Sequence, residues 1–287
     1  MWPDIAKHIA QVTGEAFEIS DRTSVGGGCI NAAYCLKGSG QTFFIKLNAP
    51  TQLENFAAEA QALKAIISTQ AIKAPRPICW GATDQQSYLL LEWLEFGSGN
   101  RQTWAQMGRD LATMHRAGGA ERFGWDRPNT IGATPQINTW GDNWADFFAE
   151  QRLGFQVRLG NRRGGGFPPV DQVIAATQNF LRDRRPQPSL LHGDLWSGNA
   201  AITTAGEPVI LDPALYFGDR EADLAMTELF GGFPAAFYQG YEEVWPLDSG
   251  YPQRKSIYNL YHVLNHFNLF GGGYRNQAQH LLRSLMS

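Results

Sequence analysis

The octapeptide HGDLWSGN at residues 192–199 follows an apolar pair and offers two side chains that could do chemistry. Asp194 could accept the proton of a hydroxyl group, and Asn199, five residues later, could bind a metal ion through its amide oxygen. Transfer of a phosphoryl group to a hydroxyl requires a base and a metal-bound phosphate close together on one rigid loop. The spacing therefore favours phosphoryl transfer, provided that the rest of the sequence supplies the remaining groups.

A second carboxylate ends a predicted buried strand, PVILD at residues 208–212. Asp212 lies eighteen positions after Asp194 and could join Asn199 in an oxygen-rich site for Mg²⁺. This ion takes few protein ligands and completes its coordination with phosphate oxygens and water. Aspartates at strand ends are common, so the predicted metal site depends on the groups that accompany it.

A lysine and a glutamate are the next candidates. In the predicted strand at residues 42–47, alternation places Phe44 and Lys46 on one face, beside apolar surface. The helical spacing of residues 52–67 places Glu59 on the buried side of a helix, where an unpaired carboxylate would be costly. A lone lysine could simply extend to water. Because Glu59 needs a partner, we expect an ion pair that holds Lys46 against nucleotide phosphates.

A glycine-rich segment, GGGCIN at residues 26–31, separates two predicted strands and could cover those phosphates. Backbone that lacks Cβ atoms can approach phosphate groups closely, although three glycines alone predict no more than a turn. The candidate nucleotide-binding residues of this segment are Gly26, Gly27, Gly28 and Asn31. Cys29 lies in the same segment, where its oxidation would obstruct nucleotide binding.

The strand predicted at residues 87–94 ends in a loop-forming sequence. Backbone groups around Glu92 and Leu94 could bond the edge of an adenine, or the segment could be an ordinary strand end. We place a lobe boundary here, which predicts a nucleotide-binding lobe over residues 1–94 and a catalytic and substrate-binding lobe over residues 95–287.

The remaining acids and histidines have less specific patterns. Asp223, near the start of a predicted helix, could brace the backbone of the 192–199 segment or lie at the surface in a first helical turn. His115, at a predicted helix end, favours a structural role. His262 and His266 have an i, i+4 spacing that can hold a metal, but no third ligand stands nearby, so structural roles are favoured.

Between these candidates, residues 123–139 are predicted as a loop-rich insertion, and residues 140–153 as a helix with four aromatic side chains. Most of these aromatic residues are expected in the core, and one or two could line a substrate pocket.

The composition sets bounds on the function. The 287 residues are 43% hydrophobic and 18% charged, which is typical of a globular protein. A net charge of −3 gives no electrostatic basis for binding nucleic acid or an anionic membrane, so a small-molecule partner is favoured. Three cysteines without zinc-site spacing, and no leader or long apolar run, predict a cytoplasmic protein with free thiols.

Five tracts extend the pattern over residues 17–280: GGGCIN, NTWGDNWADFFAEQRLGFQ, HGDLWSGN, FGDREADLAMTELFGGF and YHVLNHFNLFGGGY. Together they resemble the fructosamine/ketosamine kinase family, relatives of the aminoglycoside phosphotransferases. The resemblance implies a bilobal α+β fold of the protein-kinase type, with an antiparallel sheet and one major helix in the N-terminal lobe and a larger, mostly helical C-terminal lobe. It also implies ATP-dependent phosphorylation of the 3-hydroxyl of ketosamines, which are sugars attached to amines, and a role in deglycation.

The same resemblance assigns roles to individual residues. Asp194 would be the base, Asn199 and Asp212 would hold Mg²⁺, and Lys46, oriented by Glu59, would bind ATP phosphates. Trp196 would form a wall of the acceptor site, or alternatively pack as a structural residue.

The chemistry leaves open a kinase for another small alcohol, such as an aminoglycoside, choline or a sugar. A nucleotide-binding pseudokinase is less favoured, because lysine, glutamate, base and both metal ligands are all present. The sequence does not decide between a free and a protein-bound ketosamine, or between a monomer and a homodimer.

Overall fold

The computed structural model describes residues 1–26, 30–117 and 119–287. Its N-terminal part is built on a five-stranded antiparallel sheet with the strand order β1-β2-β3-β5-β4. The elements of this part are α1 (Trp2–Thr13), β1 (Ile19–Ser24), β2 (Ala32–Gly38), β3 (Gln41–Asn48), α2 (Leu53–Ser68), β4 (Pro77–Ala82) and β5 (Ser87–Glu92).

Strand β3 explains why the two faces of this sheet carry different helices. Its side chains alternate between the two faces of the sheet. On one face, Phe43, Ile45 and Leu47 pack in the same cluster as two fully buried residues of α1, Ile5 and Ile9. Each fully buried isoleucine contributes about 1.5–3 kcal/mol to stability. Lys46 points to the other face, where α2 lies, so the alternation predicted from the sequence is confirmed.

The rest of the described part of the protein is mainly helical, as predicted. Its helices are α3 (Arg101–Ala117), α4 (Trp144–Phe147), a π-helix (Phe148–Gly154), α5 (Phe155–Arg162), α6 (Val170–Leu181), α7 (Glu221–Leu229), α8 (Ala235–Val244), α9 (Tyr251–Phe270) and α10 (Tyr274–Met286). Its strands are β6 (Asn129–Ile131), β7 (Thr134–Gln136), β8 (Ser189–Leu191), β9 (Ala200–Ile202), β10 (Pro208–Ile210) and β11 (Tyr216–Gly218).

Short strand pairs position the two segments that carry the candidate acids. Residues 192–199, here named the Asp194 loop, run from β8 to β9, and residues 211–215, the Asp212 loop, run from β10 to β11. Strand β8 pairs antiparallel with β11, and β9 pairs antiparallel with β10. Both ends of each loop are thus anchored in strands that are paired with the strands of the other loop.

After β5 the polypeptide leaves the large sheet and runs beside β9. The N–H of Gly97 donates to the C=O of Ile202 at 2.8 Å, and the N–H of Thr204 donates to the C=O of Glu95 at 2.9 Å. Residues directly after 94 thus contact the strand that follows the Asp194 loop. The lobe boundary near residue 95 stays a prediction.

Two regions differ from the sequence-based expectation. The region predicted as a loop-rich insertion contains the hairpin β6–β7, which turns through Gly132 at a φ of +60°. The predicted helix over residues 140–153 is instead a short α4 followed by the π-helix Phe148–Gly154, and α5 extends it to Arg162. The 3.6-residue period of the sequence cannot distinguish an α-helix from a π-helical insertion, since both bury one face.

Candidate active site

Two backbone hydrogen bonds join the Asp194 loop to the Asp212 loop. The N–H of Leu211 donates to the C=O of Asn199 at 2.9 Å, and the N–H of Ala214 donates to the C=O of His192 at 2.9 Å. The ring of His192 adds a third contact, with Nε2 2.7 Å from the C=O of Leu211. The relative position of the two loops is therefore fixed at three points that involve the backbone.

Gly193 allows this close approach. Its φ is +83°, and a Cβ at this position would lie 2.1 Å from the C=O oxygen of Ala214. No real side chain tolerates such a contact, and the left-handed conformation is costly for other residues. The glycine after the histidine is thus a structural requirement of the loop, which the sequence pattern alone did not reveal.

Asp223 of α7 supports the backbone of the same loop, and its side chain is only 1% exposed. Its carboxylate accepts hydrogen bonds from the N–H of His192 at 2.7 Å, from the N–H of Gly193 at 2.8 Å and from Nε2 of His115 at 3.1 Å. Burial acts to raise the pKa of Asp223, but these donors outweigh it and lower that pKa below its ordinary value. The bracing role is confirmed, and the alternative of a surface acid is wrong.

His115 also has the structural role that was favoured. It is fully buried, and its Nδ1 lies 2.8 Å from the hydroxyl oxygen of Tyr241. Because its Nε2 also contacts the carboxylate of Asp223, the imidazole connects α8 to the residue that supports the Asp194 loop.

Asp194 and Asn199 contact each other within their loop. The Asn199 side-chain NH₂ donates to the backbone carbonyl oxygen of Asp194 at 2.9 Å and contacts its carboxylate at 3.4 Å. Burial, together with the charges of Asp212 and Asp223, raises the pKa of Asp194 to about 7. A carboxylate with a pKa near the working pH is well suited to take a proton.

Lys46 forms the ion pair that the sequence predicts and a second one with the metal-site candidate. Its Nζ donates to Glu59 at 2.7 Å and also contacts the carboxylate of Asp212. Burial alone would lower the pKa of Lys46, but the charges of Asp212 and Glu59 raise it, so the ammonium stays charged. A buried lysine held by two carboxylates links β3, α2 and the Asp212 loop.

The oxygen atoms of Asp212 and Asn199 fit the requirements of Mg²⁺. The NH₂ of Asn199 is used by the backbone carbonyl of Asp194, whereas its oxygen accepts no hydrogen bond within the described residues. The carboxylate of Asp212 is 53% exposed and reachable from solvent. Carboxylate and amide oxygens are the ligands that Mg²⁺ takes, with phosphate oxygens completing the shell.

Asp212 has an unusual backbone. Its φ of +54° lies in the left-handed region, which a residue with a Cβ occupies only when its surroundings enforce it. Strained backbone of this kind is concentrated at functional sites, where it aims a side chain.

Part of the predicted nucleotide site lies outside the described residues, namely Gly27, Gly28 and Cys29. Among the described residues, no atom lies within 4 Å of the place where a Cβ of Gly26 would stand. Asn31 accepts a hydrogen bond from the side chain of Asn48 at 2.6 Å, which attaches the end of this segment to β3. Their contact with nucleotide stays a prediction.

In the predicted adenine-binding segment, the hydrogen-bonding groups of Glu92 are already paired within the protein. The N–H of Glu92 donates to the C=O of Arg76 at 2.9 Å, and the Glu92 carboxylate accepts from the N–H of Arg76 at 2.8 Å. No backbone hydrogen bond of Leu94 occurs among residues 1–26, 30–117 and 119–287. The backbone at Leu94 is therefore the better candidate for meeting an adenine edge.

Trp196 is not a core residue, since 39% of its surface is exposed. Its ring folds over Gly198, where a Cβ would lie 2.4 Å from the indole. The contact with Gly198 accounts for packing of part of the ring, and a role of Trp196 as a wall of the acceptor site stays a prediction.

The two C-terminal histidines lie one helical turn apart in α9. Nδ1 of His266 contacts the C=O of His262 at 2.8 Å, and burial, with the neighbouring His266, lowers the pKa of His262 to about 3. Within the described ranges, no three His, Cys, Asp or Glu side chains form a group suited to a metal ion. Nor does any described helix have the length and apolar character to cross a membrane.

The fold and the collected side chains define a phosphotransferase of the protein-kinase-like class. A family model described as fructosamine kinase matches residues 1–287. The chain belongs to this family, which confirms the resemblance seen in the sequence tracts.

Named relatives span nearly the whole chain. A probable ketoamine kinase of Synechocystis sp. is 59% identical over 285 residues, which cover 99% of this chain and 97% of the relative. The chloroplastic protein-ribulosamine 3-kinase of Arabidopsis thaliana is 43% identical over 274 residues, covering 94% of this chain and 83% of the relative.

Solved structures agree with the fold. A crystal structure of a fructosamine-3-kinase candidate from Haemophilus somnus matches with a TM-score of 0.95 at 31% identity, over 100% of this chain and 98% of that one. An aminoglycoside phosphotransferase solved with ADP and hygromycin B matches with a TM-score of 0.63 at 16% identity, over 98% of each chain. The second likeness shows a shared fold alone, and both agree with the predicted α+β bilobal architecture.

Proposed function

We propose that this protein uses ATP to phosphorylate the 3-hydroxyl of ketosamines of the fructosamine or ribulosamine type, with a role in deglycation. The observation that carries the proposal is Lys46, which contacts both Glu59 and Asp212 next to the loop of Asp194 and Asn199. Membership of the fructosamine kinase family and the names of the ketoamine and ribulosamine kinase relatives support the choice of acceptor.

The proposed mechanism assigns one task to each side chain. Asp194 takes the proton of the acceptor hydroxyl as that oxygen forms its bond to the γ-phosphorus and the bond to the β-phosphate oxygen breaks. Asp212 and Asn199 would hold Mg²⁺, which would neutralise charge on the phosphate oxygens. Lys46 donates hydrogen bonds to phosphate oxygens, and Glu59 keeps its ammonium in place.

Trp196 is proposed to select the acceptor. Its half-exposed indole follows Asp194 by two residues and presents a flat face. A ketosamine carries a cationic amine next to its sugar, and an indole face attracts such a cation. The amine of a free amino acid and that of a protein lysine offer the same chemistry to this ring.

A panel of acceptors tests the function. ATP consumption is measured with a fructosamine, a ribulosamine, an aminoglycoside and choline, and phosphorus NMR identifies the esterified hydroxyl. We expect turnover with the ketosamines and esterification at the 3-position. Turnover with the aminoglycoside or choline alone would reassign the acceptor while preserving the kinase, and ATP binding without any turnover would favour a pseudokinase.

The reaction rate should rise with pH through the titration of Asp194. Its pKa is raised to about 7 by burial and by the charges of Asp212 and Asp223, and only the ionised form can accept a proton. A cation held at Asp212 removes one of these charges, so the acid limb with Mg²⁺ is expected at or below that pH. The measurement is kcat/KM for the acceptor from about pH 5 to 9 at saturating ATP. A rate that does not fall on the acid side would contradict the assignment.

We also propose that the protein works in the cytoplasm. The use of ATP as donor supports this location, as do the buried and unpaired thiols of Cys35 and Cys79.

A further inference from the structure

Three amide side chains are buried in the interior of the helical part, where polar groups are costly unless they are paired. Asn129 and Gln136 belong to the β6–β7 hairpin, and Asn138 follows it. Their exposed fractions are 9%, 1% and 2% respectively. These three residues are named here the amide clamp.

The clamp binds the backbone of the Asp212 loop. The side-chain NH₂ of Gln136 donates to the C=O of Ala214 at 2.9 Å, and that of Asn129 donates to the C=O of Leu215 at 2.9 Å. These are the second and third residues after Asp212. On its other side, Ala214 already donates to the Asp194 loop through its N–H.

The clamp is itself held in one orientation. The oxygen of Asn129 accepts from Gln136 and from Asn138, each at 2.9 Å. The oxygen of Gln136 accepts from the hydroxyl of Tyr261 of α9 at 2.7 Å. Because each oxygen is engaged by a donor, the NH₂ groups that face the Asp212 loop cannot rotate without breaking several buried bonds.

Arg152 supports the clamp from the π-helix. Its Nη2 donates to the oxygen of Asn138 at 2.7 Å, and its guanidinium lies 4.0 Å from the ring centroid of Tyr216, directly after the Asp212 loop. Arg152 is fully buried and has no carboxylate partner among the residues that the structure describes. Its Nη1 donates to the C=O of Ile137 at 2.5 Å. A buried cation held by amide and carbonyl oxygens and aromatic rings, without a carboxylate, is unusual, and π-helical segments occur frequently at functional sites.

We propose that the amide clamp and Arg152 position Asp212 for the metal ion by fixing the two carbonyl groups that follow it. The left-handed backbone of Asp212, with φ at +54°, needs such enforcement from outside. Gln136 and Asn129 are therefore positioning residues that act through the backbone of the loop. This inference rests on the proposed role of Asp212 as a metal ligand.

The test measures metal affinity directly. Mn²⁺ is titrated into the full-length protein with ADP, and the free ion is followed by electron paramagnetic resonance. Gln136→Leu keeps the size of the side chain but removes its three hydrogen bonds, and we expect the Mn²⁺ dissociation constant to rise by about 10-fold to 100-fold. The KM for the acceptor should change little, since the clamp acts through Asp212.

Asn268→Leu is the matched control. Asn268 is equally buried and bonds Gln156 through its NH₂ at 3.0 Å and 2.7 Å, but neither bond involves the Asp212 loop. It should lose comparable thermal stability and keep the wild-type Mn²⁺ affinity. Equal weakening in Asn268→Leu and Gln136→Leu would mean a general loss of packing and would overturn the proposal.

Two further variants test the amide clamp and the metal ligand separately. If Gln136→Leu does not fold, Asn129→Ser removes the donor to Leu215 and is titrated in the same way. Asp212→Asn should weaken Mn²⁺ binding most, and unchanged binding in this variant would refute the metal assignment itself. Weak binding in Asp212→Asn with wild-type affinity in the folded clamp variant would refute the clamp alone.

Discussion

Replacing Asp194 by Asn is expected to lower kcat by roughly 10²–10⁴-fold while the affinity for ATP stays nearly unchanged. Asn keeps the size of the side chain and can still contact Asn199, but it cannot accept the proton of the acceptor hydroxyl. The lysine pair and the metal-site oxygens are not altered by the change. Steady-state kinetics with a ketosamine and calorimetric titration with ATP provide the two readouts.

The same variant should be more stable than the wild type at neutral and higher pH. The pKa of Asp194 is raised from its ordinary 3.8 to about 7, so the unfolded protein releases this proton before the folded protein does. Ionised Asp194 therefore lowers stability progressively as pH rises from about 4 to 7, and Asn carries no such cost. A higher unfolding midpoint together with lost turnover in Asp194→Asn would show that the variant is folded and lacks only its catalytic base. Near-normal turnover would refute the role of Asp194.

Asp223→Ala is expected to reduce both stability and turnover. The substitution leaves the N–H groups of His192 and Gly193 and the ring of His115 without their shared acceptor in a buried place. Unsatisfied buried donors cost about 1–3 kcal/mol each, so the loss of an acceptor for three donors is expected to lower the free energy of unfolding by at least about 3 kcal/mol. Turnover should fall as well, because the Asp194 loop loses its brace.

Chemical denaturation and steady-state kinetics of the folded variant provide the measurements. Asp223→Asn should lie between Ala and the wild type, since the amide oxygen can still accept from one donor. Asp248→Ala is a suitable control, because Asp248 pairs with Arg184 and Arg254 but is 53% exposed. Wild-type stability in Asp223→Ala would contradict the brace.

The sequence was sufficient for the charged parts of the site. Glu59 on the buried face of a helix needs a cation, and Lys46 on the inner face of β3 was the available one, so the pair followed from the cost of burying charge. The contact of Lys46 with Asp212 was not predicted, because it depends on how the Asp212 loop approaches the sheet.

The roles of the buried amide side chains could not be predicted from the cost of burying charge. Asn129, Gln136 and Asn138 lie in a tract whose polar composition is typical of loops, and nothing local indicates that their partners are carbonyls about eighty residues away. Arg152 was missed for a related reason, since a charged residue is expected at the surface and its amide partner Asn138 lies in the same loop-like tract.

The contact between Gly193 and Ala214 fixes how closely the two loops approach, and this position does not involve Trp196, the residue proposed to contact the acceptor. Backbone hydrogen bonds between the two loops set the spacing of Asp194, Asn199 and Asp212, and the side chains that support this spacing, Asp223 and the amide clamp, are buried. Trp196, in the same loop, faces outward and takes no part in that spacing. With the proposed role of Trp196, acceptor preference is expected to change by substitution at the indole position, or to diverge there in evolution, while the proposed transfer site is retained.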